Sequence, residues 1–182
     1  MSFESRITRS PRPFAPDRGA EGLLKLPNLP PRTREVVEGA AGSSPFLAGL
    51  IAREADWLAG ALNDPDAALA AVITGATELP LDKLSDGLRQ AKRRVALLTG
   101  LADLGGVWPL ETVTQALTDF ADAAVDTCLR RLVGAEIARG KIPGLGPEDA
   151  ETAGGMVALA MGKMGAGELN YSSDIDLIML FD

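Results

Sequence analysis

From Ser44 to Ile137 the apolar residues recur every three or four positions, and that spacing belongs to one face of a helix. Leu81, Leu84, Leu88, Ala91, Val95 and Leu98 follow it. So do Leu110, Val113, Leu117, Phe120, Ala124, Cys128 and Leu132, on what should be the longest helix, starting near Pro109. Ser44 before Pro45, and Asp64 before Pro65, supply N-caps with a proline in the first turn. The first of these helices carries Leu47, Leu50, Ile51, Leu58 and Leu62 as its stripe; the second carries Leu69, Val72 and Ile73. Gly140 to Pro147 is rich in glycine and proline, and beyond it the pattern changes from helical to strand. The expected fold is mainly α: a helical domain, then the first strand–turn–strand of an α/β domain. Three segments follow: a proline-rich, flexible or extended lead over 1–32, a helical domain over 33–140, and the start of the α/β domain over 141–182.

Composition excludes several functions. The chain has no histidine, so a histidine-dependent triad or a histidine-ligated zinc has no place in it. A net charge of −7 argues against nonspecific nucleic-acid binding, which needs a basic face. No apolar run approaches the length of a membrane span. Cys128 is the single cysteine and lies in register with apolar residues, which points to packing. One cysteine and no signal peptide fit the cytoplasm.

The chemistry concentrates in Met156 to Asp182, MVALAMGKMGAGELNYSSDIDLIMLFD. Val157, Leu159 and Met161 alternate with small residues, as a buried strand would. Gly162-Lys163 opens a glycine-rich turn, and Ser173-Asp174-Ile175-Asp176 leads into a second apolar run through Ile178 and Leu180. That run reads as a strand covered on both faces, with Ile175 and Leu177 turned away from the two aspartates. Two carboxylates one residue apart on a strand share a side, and such a pair offers hard oxygen ligands to Mg²⁺. A P-loop is excluded, because neither Ser nor Thr follows Gly162-Lys163. A Rossmann turn fails too: the order here is G-x-x-G-x-G, and about ten residues between Lys163 and Asp174 are too few for a βαβ crossover.

The register Gly162-Lys163, Gly167, Ser173-Asp174-Ile175-Asp176 resembles the nucleotidyltransferase superfamily that includes DNA polymerase β. Members usually carry Gly-Ser where this chain has Gly162-Lys163. With Gly167-Glu168-Leu169-Asn170, the block resembles one family in particular, the glutamine synthetase adenylyltransferase / adenylyl-removing enzymes. Ser44-Pro45-Phe46-Leu47, Leu88 to Arg94 and Leu117 to Ala123 are similar to that family as well, so the resemblance runs from about Arg34 to the end.

The resemblance implies a bifunctional enzyme in which one half attaches AMP from ATP to a tyrosine of glutamine synthetase. The other half removes it by phosphorolysis, releasing ADP. The removing half comes first in chain order, and this motif follows a single helical domain, so the removing half is the expectation here. Asp174 and Asp176 would be catalytic and hold Mg²⁺; Gly162, Lys163 and Ser173 would bind nucleotide or phosphate. Glutamine synthetase and the PII signal protein are the implied partners. Such a site needs a third carboxylate from a later strand. Asp182 is a poor substitute, since six residues of extended strand put it about 20 Å from Asp176. The expectation is therefore an N-terminal fragment of a longer protein. A non-catalytic helical interaction module and a different polymerase-β-like nucleotidyltransferase are the alternatives. The basic group Arg89, Lys92, Arg93 and Arg94 reads as either a solvated face or a contact for phosphates or an acidic partner.

Overall fold

The computed structural model describes residues 1–181; Asp182, set aside above as a third carboxylate, lies outside the described residues. The chain is mainly α, as expected. In order come α1 (Phe3–Arg6), α2 (Pro16–Gly22), α3 (Pro31–Ser43), α4 (Pro45–Ala61), α5 (Pro65–Thr77), α6 (Leu84–Leu104) and α7 (Leu110–Ala138). After a 3₁₀ segment, Pro147–Gly155, follow β1 (Val157–Ala160), the one-turn α8 (Gly162–Gly165) and β2 (Leu177–Leu180).

The helix starts obey their caps. The Ser44 hydroxyl accepts the Leu47 N–H at 3.2 Å, and the Asp64 carboxylate accepts the Ala67 N–H at 3.2 Å. Each satisfies an amide that has no partner inside the helix. The core lies where α3, α4, α6 and α7 meet, with Val36, Val37, Ile51, Leu58, Val95, Leu97, Leu98, Leu101 and Val113 fully buried. Each such side chain contributes roughly 1.5–3 kcal/mol by leaving water. α5 packs less deeply, and its Leu69, Val72 and Ile73 stay partly exposed. Cys128 is half-buried, and burial pushes its thiol up. Among the described residues no helix is long and apolar enough to cross a membrane.

Three expectations need correction. The first 32 residues are not a flexible lead. Phe3, Ile7, Leu23 and Leu26 are buried in the main core. Pro16 and Pro31 start helices, where a missing N–H costs nothing. The stretch around Pro11 and Pro13 lies directly on the glycine face of α3. A Cβ on Gly39 would stand 1.9 Å from the Pro11 carbonyl oxygen, so only glycine admits this approach. The Glu4 carboxylate accepts the Thr33 N–H at 2.7 Å and the Thr33 hydroxyl at 2.6 Å, and so caps α3 from a distance. Arg18 closes the other end on the Ala41 and Gly42 carbonyls.

The α7 stripe is the second correction. Val113, Leu117 and Phe120 are buried as expected, whereas Leu110 and Leu132 are exposed. Leu110 is the first residue of its helix and projects past the bundle. Toward its C-terminus α7 packs on the 3₁₀ segment instead, and Ile137 is the residue buried there. The buried face changes because the neighbour changes.

The sheet is the third. β1 and β2 pair antiparallel, with Val157 opposite Leu180 and Ala160 opposite Leu177. Ala160 and Leu177 pack toward the core, and a cavity of about 310 Å³ separates this face from Asp122, Val125, Asp126 and Leu129 of α7. Val157, Leu159, Met161, Ile178 and Leu180 are all exposed. Among the described residues the strands are therefore covered on one face, the one turned toward α7.

Candidate nucleotidyl-transfer site

β1 ends at Ala160, and the pairing continues for one step: the Met161 N–H donates to the Asp176 carbonyl at 2.9 Å. This brings the glycine turn against the second acidic residue. Gly162 has φ +57°, a left-handed conformation that disfavours any side chain. A Cβ added there would stand 3.7 Å from Asp176 Oδ2, so Gly162 presents bare backbone to that carboxylate. α8 follows at once. Its end is folded back by the Glu168 N–H, which donates to the Lys163 carbonyl at 2.8 Å.

The segment between α8 and β2 is anchored on the helical bundle. Met164 and Leu169 are buried in the core cluster. The Leu169 N–H donates to Thr118 Oγ1 on α7 at 3.2 Å. Asn170 then organises the approach to the aspartates. Its Oδ1 accepts the Ser172 N–H at 3.1 Å and the Ser173 hydroxyl at 2.7 Å, an Asx turn. Tyr171 reaches back to α6. Desolvation, with the Asp103 carboxylate adding to it, leaves its phenol pushed up to about 12, although the residue as a whole is 45% exposed.

The sequence-predicted residues divide as follows. Asp176 and Gly162 are brought together. Asp174 lies in coil before β2, exposed, so the strand alternation argued from sequence extends only as far as Asp176. Lys163 is exposed on α8, and Ser173 spends its hydroxyl on Asn170. Neither aspartate is ion-paired among the described residues, and the same holds for Lys163. Carboxylates that no cation pairs suit a divalent ion by their oxygen chemistry, and of the two only Asp176 is placed beside the glycine turn. Among the described residues there is no cluster of three or more acidic, histidine or cysteine ligands. Sequence reasoning missed Thr118 and Tyr171. Neither carries a motif of its own, and the signal that existed was the block Glu168-Leu169-Asn170-Tyr171, whose anchoring role needs the fold to be visible.

Residues 35–182 match the family described as glutamate-ammonia ligase adenylyltransferase, and the chain belongs to that family. It is 47% identical over 158 residues to the bifunctional glutamine synthetase adenylyltransferase/adenylyl-removing enzyme of Bradyrhizobium diazoefficiens, covering 84% of this chain and 16% of that protein. The protein of the same name from Caulobacter vibrioides is 43% identical over 181 residues, covering 93% and 18%. A Rhodopseudomonas palustris relative is 40% identical over 175 residues, again 93% and 18%. The chain thus spans less than a fifth of the length of these curated relatives. No solved structure matches it.

Proposed function

We propose that this chain is part of a bifunctional enzyme acting on glutamine synthetase, and that its Asp174–Asp176 turn belongs to the adenylyl-removing half. The observation that carries the reading is Gly162, held at positive φ with its open side against the Asp176 carboxylate. The reaction is phosphorolysis. An oxygen of inorganic phosphate forms a new bond to the AMP phosphorus, the bond from phosphorus to the tyrosine oxygen breaks, and the tyrosine oxygen regains a proton. The products are ADP and the unmodified tyrosine.

Asp174 and Asp176 would hold Mg²⁺, which when bound offsets negative charge on the reacting phosphates. Gly162 lets backbone amides approach those phosphates, because no Cβ stands in the way. Lys163 adds a positive charge at the rim of the turn, and the Asn170 turn holds Ser173 in place ahead of Asp174. A third carboxylate, attachment of AMP from ATP by a second half, and binding of the PII signal protein fall to the rest of the enzyme. A division at residue 140 is likewise part of this proposal. A cytoplasmic location fits a modifier of glutamine synthetase. The test uses the full-length protein and AMP-modified glutamine synthetase with isotopically labelled inorganic phosphate. The label should appear as the β-phosphate of released ADP; release of AMP instead would replace phosphorolysis by hydrolysis.

A further inference from the structure

Of the four basic residues on α6, the structure gives two a specific task. Arg93 Nε donates to Glu54 Oε1 and Arg94 Nε donates to Glu54 Oε2, both at 3.0 Å. The Glu54 side chain is 5% exposed, while those of Arg93 and Arg94 are 34% and 28% exposed. The Arg94 guanidinium also lies over the Trp57 ring, 5.1 Å from its centre. Two guanidiniums from consecutive residues are therefore fixed by one buried carboxylate and one indole. Each donates through Nε alone; the terminal nitrogens of both have no acceptor among the described residues.

These groups line a cavity of about 420 Å³ between α4 and α6, which Arg53, Asp56 and Gln90 complete. Three cations, Arg53, Arg93 and Arg94, face two carboxylates, Glu54 and Asp56, so the lining carries one uncompensated positive charge on a chain of net charge −7. α4 kinks at Glu54 itself, where φ is −114° and ψ is 20°. The two oxygens of Glu54 are each taken by one arginine, which leaves the terminal nitrogens of both arginines turned to the opening.

The geometry points to an oxyanion-binding site between α4 and α6, in which the free edges of Arg93 and Arg94 take a phosphate or carboxylate group. Paired planar forks suit such a group, since each can donate two parallel N–H bonds. The site shares no lining residue with the Gly162–Asp176 turn and stands independently of the reaction assigned to that turn.

The test is a titration of the complete chain followed by NMR, reading the Arg93 and Arg94 Nε–H signals and the Trp57 indole N–H, with the Trp108 indole as control. Inorganic phosphate, acetate and chloride are added separately at matched ionic strength without divalent cations. Phosphate should move the Arg93, Arg94 and Trp57 signals saturably and leave Trp108 unmoved. A matching response to acetate assigns the site to oxyanions in general, and silence to acetate assigns it to phosphate groups. Arg93→Gln should weaken binding about tenfold or more. Arg93→Lys keeps a charge beside Glu54 and should weaken it severalfold through loss of the fork. Lys163→Ala should leave it unchanged, which separates this site from the glycine turn. No saturable shift, equal shifts with chloride, or unaltered binding in both Arg93 variants would overturn the assignment.

Discussion

The backbone N–H of Leu169 and the side-chain hydroxyl of Thr118 are hydrogen-bonded at 3.2 Å across 51 positions of sequence, and both residues are buried. The same hydroxyl donates to the Thr114 carbonyl at 2.9 Å, so it is fully engaged within α7 and with the segment docked on it. This contact fixes where the chain leaves the bundle for Asn170, Ser173 and the aspartates. Thr118→Val keeps the shape and removes the acceptor, leaving a buried amide unpaired. The expected loss is about 1–3 kcal/mol of local stability. Hydrogen exchange should show the Leu169 amide exchanging faster, while Thr118→Ser retains protection. Equal exchange in wild type and Thr118→Val would show that the hydrogen bond does not hold the segment.

Tyr171 is the single tyrosine, so its ionisation can be followed alone at 295 nm. The native midpoint should lie at about 12, above the ordinary value near 10. In denaturant it should return to the ordinary value. Because the folded value is the higher one, the unfolded chain ionises first as pH rises. The contribution to stability is complete below about pH 10 and falls away as pH climbs through about 12. Asp103→Asn should bring the native midpoint down. A native midpoint at the ordinary value would mean the phenol is not docked on α6.

Phe3 tests the packed lead. Its side chain is fully buried, and truncation of a buried phenylalanine costs about 3–5 kcal/mol. Phe3→Ala should lower the urea midpoint of the helical bundle without changing its cooperativity. An unchanged midpoint would return residues 1–32 to the status of a loose extension.

Lys163→Ala should impair use of phosphate or nucleotide more than folding, since the side chain is exposed and unpaired among the described residues. The dependence of the removal rate on phosphate concentration is the measurement. An unchanged curve in the full-length variant would leave Lys163 a solvated lysine.

Local signals in the sequence were read well where local physics decides the structure. Ser44 and Asp64 cap their helices because a hydroxyl or carboxylate beside a helix start has few better partners. Leu50, Ile51, Val95 and Leu98 are buried because the helical period forces them onto one face. Leu110 and Leu132 obey the same period and are exposed, because burial depends on what lies opposite. The lead was misread for a related reason: prolines mark local irregularity, but the buried Phe3 and the proline stretch seated on the Gly39 face are long-range facts. At the site, Gly162 and Asp176 were legible as a motif. The anchoring by Thr118 and the Asp103–Tyr171 neighbourhood were not, since both join residues far apart in sequence. Glu54 was equally hidden, as one acidic residue among many on a helix until its two arginine partners are placed.

The central claim is that Asp174 and Asp176 serve removal of AMP. Asp174→Asn with Asp176→Asn in the full-length protein preserves side-chain shape and removes both charges. Release of ADP from AMP-modified glutamine synthetase in the presence of phosphate, and incorporation of AMP from ATP into the unmodified enzyme, are measured side by side. The account predicts that ADP release is abolished while AMP incorporation continues. Retained ADP release would contradict the assignment of these carboxylates, and loss of incorporation with removal intact would place the turn in the opposite half.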